Sequence, residues 1–238
     1  MAIPCYLAMT DAEVSSAPVL PAQMAWMACH FSCYSVGLSN LPSKIPEGSM
    51  IILNDCIPIC NHDPMYILEQ LQGLYETLRP DSFLLDFQRT DVPESACLAA
   101  ILTKRLPCPV GVTEGYAKEL DCPVFLTAPP PHKALAEHIA PWQGREIWLE
   151  LAVEGQIITV TRDNARTEFT LDTSLAEPCF TDEKLHCNYH ITLQEDAAVF
   201  HLARQTEHIP GLLKEGEKLG VCRAVGLYQQ LKEMRERN

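Results

Sequence analysis

Residues 82–90 read SFLLDFQRT, an apolar run that ends in a carboxylate, a ring, an amide and a guanidinium. In an extended strand, residues two apart share a face, so Leu84, Asp86 and Gln88 point one way and Phe83, Leu85 and Phe87 the other. The next apolar run, CPVGVTE (108–114), ends in a second carboxylate, Glu114. Two carboxylates at neighbouring strand ends can divide proton transfer, one serving as protonated acid and the other as its partner. Asp86 and Glu114 are therefore the candidate catalytic pair. Gln88 beside them can donate and accept hydrogen bonds but delivers no proton. His30, Asp55, Gln88, Tyr228 and Gln229 stand at other strand ends and are the candidate ligand-binding residues. Glu150, inside WLELA, also stands at a strand end and reads as a solvated hairpin residue ahead of a pocket role, and His62, His186 and His201 read as caps or surface groups.

Those side chains meet only if the strands that carry them converge. Eight short apolar runs recur, at 4–10, 23–32, 49–55, 82–88, 108–114, 122–128, 146–152 and 223–230, each bounded by proline, glycine or a polar turn. Near-continuous apolar strands suit a parallel sheet covered on both faces. Helical patterns lie between some of them: 63–79, with Asp63 as N-cap and Pro64 at the first turn, then 93–106 and 210–220. The alternation predicts an α/β fold, a single degenerate (β/α)8 TIM-like barrel over residues 1–238, short for a fold of typically ~250 residues. Residues 156–204 break the rhythm as two antiparallel hairpins around Asn/Asp turns, expected to replace the helix after the seventh strand. The alternative is an open doubly wound sheet with a β-rich appendage. In a barrel the C-terminal strand ends share one face, which is where a ligand would sit.

The bulk composition excludes several classes. A net charge of −13 without a basic cluster argues against a nucleic-acid binder. Residues 14–43 contain no Asp, Glu, Lys or Arg, yet prolines and polar residues interrupt them, so no membrane span is expected. The N-terminal residues show no basic region ahead of an apolar stretch. Eleven cysteines, most of them in apolar runs, read as small core residues of a cytoplasmic protein. The C-x3-C pairs Cys29/Cys33 and Cys56/Cys60 complete no zinc set. No G-x-S-x-G elbow, P-loop or G-x-G-x-x-G is present, and neither a cofactor nor a metal is expected. A small molecule or glycan is the expected ligand, and the oligomeric state is not legible.

If residues 4–10 form the first strand, DSFLLDFQ (81–88) carries the fourth. That segment resembles the D-x-x-D-x-D-x-E signature on the fourth strand of the chitinase-like barrels of glycoside hydrolase family 18. Asp81 and Asp86 match its first and third acids, whereas Leu84 and Gln88 replace the second acid and the glutamate. The whole chain also resembles a family of short bacterial barrel proteins, which implies no particular activity. The resemblance implies a glycoside-hydrolase-like barrel that hydrolyses or binds a glycan. In that family the glutamate protonates the glycosidic oxygen while the substrate's N-acetyl group assists, and a glutamine cannot do so. Either Glu114 takes over as acid with Asp86, or the barrel binds its ligand without cutting it. The resemblance requires Gln88 to stand on the interior side, within reach of Asp86.

Overall fold

The computed structural model describes residues 2–29, 31, 36–38, 41, 45–54, 62–89, 92–162, 164–170, 172–177 and 179–236. Seven parallel strands come first: β1 (Cys5–Met9), β2 (Met24–Met27), β3 (Met50–Asn54), β4 (Ser82–Asp86), β5 (Val110–Thr113), β6 (Val124–Leu126) and β7 (Ile147–Leu151). A five-stranded antiparallel sheet follows, made of β8 (Glu154–Thr161), β9 (Ala165–Thr170), β10 (Phe180–Asp182), β11 (Cys187–Leu193) and β12 (Ala197–Arg204). The chain then returns to the parallel set with β13 (Val221–Leu227), which pairs with both β1 and β7 and closes the barrel. All eight apolar runs are barrel strands. The open-sheet alternative is excluded by the β1–β13 pairing, with Cys5 opposite Ala224.

Helices α1 (Asp11–Ser16), α2 (Pro64–Leu78), α3 (Pro93–Arg105), α4 (Glu114–Ala117), α5 (Leu135–Ile139), α6 (Ile209–Lys218) and α7 (Tyr228–Glu236) complete the fold. Thr10 and Glu13 form a capping box on α1, and the Asp63 side chain accepts from the Met65 N–H at 2.8 Å to start α2. The hairpins do not replace the helix after the seventh strand, as the sequence suggested. They are inserted between β7 and α6, which is retained. The last strand also ends three residues earlier than expected: Tyr228 begins α7 rather than extending β13.

Outward residues such as Phe83, Leu85 and Phe87 pack into the large core under the helices, while Tyr6, Ala8, Met50, Leu84, Phe125 and Trp148 fill the barrel interior. Trp148 is fully buried there, and Gly111 on β5 makes room for it. A Cβ at position 111 would lie 2.3 Å from Trp148 Cε3. Below the indole, at the N-terminal strand ends, Arg223 Nη1 donates to Asp81 Oδ2 at 2.8 Å, to Tyr6 Oη at 3.0 Å and to Ser82 Oγ at 3.1 Å. Its guanidinium carbon stands 5.0 Å from the centre of the Trp148 ring. Tyr6 also donates to Asp81, and burial together with that carboxylate pushes the phenol pKa up.

The inserted sheet is fastened to the barrel by a fully buried arginine. Arg204 Nη1 donates to the Pro129 carbonyl at 2.5 Å and to Glu154 Oε1 at 3.3 Å, while Nη2 reaches the Leu185 carbonyl at 3.3 Å. A buried charge persists only when paired and hydrogen-bonded, and these acceptors meet that need. Of the described cysteines Cys187 alone is fully buried, whereas Cys29, Cys97 and Cys222 are exposed, so the core-residue reading holds for fewer of them than the sequence suggested. Among the described residues no cluster of His, Cys, Asp and Glu could hold a metal ion, and no helix is long and apolar enough to cross a membrane.

The Trp148–Gly111 contact generates a stability prediction. Gly111→Ala should destabilise the protein by ~1–3 kcal/mol through overpacking, measured by urea unfolding. Adding Trp148→Leu should make the double variant less costly than the two single changes together, because the two sites share one volume.

Candidate functional site

The interior face of β4 carries Leu84 and then Asp86, and that of β7 carries Trp148 and then Glu150. Above the indole these two carboxylates line a cavity of about 50 Å³, walled by Ala8, Met27, Ile52 and Phe125. A water molecule claims ~30 Å³ of liquid volume, so the enclosed part takes one small group and not a sugar ring. A ring would have to rest above it, at the C-terminal strand ends.

Gln88 lies just beyond β4, exposed at the rim, and its Nε2 donates to Asp86 Oδ1. The preceding residue is held firmly. Phe87 is buried with its ring edge-on to Tyr116, centroids 6.1 Å apart, and its carbonyl accepts from Thr113 Oγ1 at 2.6 Å. Phe87 thus anchors outward, and alternation turns Gln88 inward toward Asp86.

Glu150 is half-buried, and its Oε2 accepts from the Ala128 N–H at 3.1 Å. Burial pushes its pKa up and the Asp86 charge adds to this, while the Ala128 hydrogen bond opposes them. Its reading as a solvated hairpin residue is therefore overturned. The alternation of IWLEL puts Glu150 on the face of the bulky Trp148, and closure of the barrel makes that face the interior. One step further along, burial raises the Glu154 carboxyl to about 7, with Arg204 opposing and Glu150 contributing.

The remaining sequence candidates are dispersed. Glu114 opens α4, is half-buried and does not line the cavity; its charge is felt by His138, whose Nε2 lies 2.8 Å from the Thr127 carbonyl. Tyr228 packs on the outer core and Gln229 is exposed on α7, so neither reaches the cavity, where Leu227 is the last residue of β13 present. His30 and Asp55 lie outside the described residues. Asp81, the first acid of the fourth-strand pattern, belongs to the barrel floor with Arg223, and Leu84 is buried where the pattern has its second acid.

No protein-family model matches the chain, and no curated protein matches its sequence. Solved structures do match its fold. A glycoside hydrolase family 18 N-acetylglucosaminidase from Paenibacillus barengoltzii superposes with a TM-score of 0.60 at 8% identity, covering 98% of this chain and 97% of that one. A chitinase from Chromobacterium violaceum gives 0.57 at 9% identity, over 97% and 95% of the two chains. The spore cortex-lytic enzyme SleL from Bacillus megaterium gives 0.54 at 10% identity, over 94% of this chain and 70% of that one. The barrel fold is shared with these chitinase-like proteins.

The raised carboxyls make stability depend on pH. The folded state holds Glu154 above the ordinary glutamate value of 4.5, so it favours the protonated form. The associated stability is full below that value and is lost as pH rises through about 7. Thermal unfolding should show the wild type losing stability between pH 4.5 and about 7, with that slope reduced in Glu154→Gln whatever the change costs at Arg204. An equal slope for both proteins would assign the pH dependence elsewhere.

Proposed function

We propose that this barrel binds an N-acetylated sugar or glycan at its C-terminal strand ends and does not cleave it by the acetamido-assisted route. One observation carries the reading: an amide, Gln88, is tied to Asp86 where the fourth-strand pattern of chitinase-like barrels has its proton donor. The glycan activities of the fold neighbours support the ligand class. In this reading the small cavity receives a substituent such as the acetamido group. Asp86 accepts from the ligand, and Gln88 hydrogen-bonds the glycosidic region without protonating it.

A second reading has its own support. Glu150 is half-buried, lines the cavity with Asp86 and has its pKa raised by burial, the direction that suits a general acid. Hydrolysis would then use Asp86 with Glu150, three strands away around the barrel, rather than the neighbouring Glu114.

Binding to a chitooligosaccharide panel and turnover of aryl N-acetylglucosaminides separate the two. The wild type should bind without turnover. Gln88→Glu should gain weak activity, its acid held protonated by the nearby Asp86 charge, and adding Asp86→Asn should abolish it. Wild-type turnover lost in Glu150→Gln would favour the second reading, and absence of binding across the panel would overturn the proposal.

A further inference from the structure

The inserted sheet ends in an open edge, and that edge is self-complementary. Strand β9 (Ala165–Thr170) pairs on one side with β8 and is exposed along nearly its whole length. It contains no lysine, proline or bulge to keep the edge from pairing, and its two charged residues, Arg166 and Glu168, are of opposite sign, so together they do not repel a second copy. The opposite edge, β10, has three residues.

Its hydrogen-bonding direction follows from the hairpin. The Thr161 N–H donates to the Asn164 carbonyl at 2.8 Å, which makes that pair hydrogen-bonded. Alternation then turns the backbone groups of Arg166, Glu168 and Thr170 toward β8, and those of Ala165, Thr167 and Phe169 outward. The Ala165 N–H is taken by Asn164 Oδ1 at 2.9 Å.

We propose that β9 pairs antiparallel with β9 of a second copy of this chain, across a two-fold axis at Thr167. Thr167 then exchanges backbone bonds with Thr167 of the second copy. Phe169 donates to the Ala165 carbonyl of the second copy at each end, giving about four backbone hydrogen bonds in all. Arg166 falls opposite Glu168 of the second copy, at non-hydrogen-bonded positions, where side chains approach most closely and opposite charges stabilise. Within one copy Arg166 and Glu168 are already ion-paired, with side chains 78% and 52% exposed, so association joins two neutral pairs into one alternating quartet. The charge at the contact cancels although each chain carries −13. On the other face Phe169, 66% exposed, lies against Ala165 of the second copy, a large ring over a small residue. Such an isologous contact closes as a dimer and joins two five-stranded sheets into one.

Sedimentation equilibrium over roughly 1–200 µM tests this. The wild type should dimerise reversibly. Thr167→Pro removes an outward N–H that β8 does not use, and should be monomeric with unchanged circular dichroism. Arg166→Glu alone and Glu168→Arg alone should each bind themselves at least about tenfold more weakly. An equimolar mixture of the two should restore a dimer containing one of each, because the reversed charges then face each other. A wild type that stays monomeric throughout, a dimer that survives Thr167→Pro, or a mixture that fails to associate would each overturn the proposal.

Discussion

A closed ring of eight strands has an interior that its own side chains must fill, and here the largest of those side chains is one indole. Trp148 stands in the space that Gly111 leaves open on β5, and the Arg223 guanidinium lies against it from below. Asp81, Tyr6 and Ser82 close the floor around that guanidinium. With floor and middle occupied, the upper end is where the interior can receive a ligand. The next inward residues above this packed layer are the carboxylates, Glu150 on the same strand as the indole and Asp86 from β4. The cavity is small because the packing below it is complete.

The inserted sheet adds electrostatics to this geometry. Its attachment through Arg204 brings Glu154 into a half-buried position near Glu150, and Glu150 in turn lies near Asp86. Each acid makes ionisation of the next less favourable, and burial is the larger cause for both glutamates. The Glu150 carboxyl is thereby raised above the ordinary glutamate value, and that of Glu154 to about 7. Gln88 fits the same logic: a neutral donor next to Asp86 adds a hydrogen bond without adding another like charge.

Much of the barrel was legible because parallel strands buried on both faces leave uninterrupted apolar runs such as SMIILN and SFLLD. The facing of Asp86 and Gln88 was legible for a local reason: a strand alternates, and Phe83, Leu85 and Phe87 had to be covered by helices. Glu150 was not, since one acid in a short apolar run fits an exposed hairpin equally well until the barrel closes and fixes which face of β7 is inside. The end of β13 was misjudged because LYQQLKEM contains no glycine or proline to mark where strand becomes helix. Asp81 shows a further limit: its position in the acidic pattern suggests a ligand, but its partner Arg223 lies far along the chain and assigns it to the floor.

The proposed sugar site lies at the Asp86–Gln88 end of the barrel. The most direct measurement is to follow the side-chain amide resonance of Gln88 while titrating isotope-labelled protein with an N-acetylglucosamine oligomer, using Gln88→Ala to assign the signal. A saturable shift of that amide is expected, and it should be lost in Asp86→Asn because the carboxylate orients the amide. Saturable binding that leaves the Gln88 amide unmoved while shifting residues of the inserted sheet would contradict it.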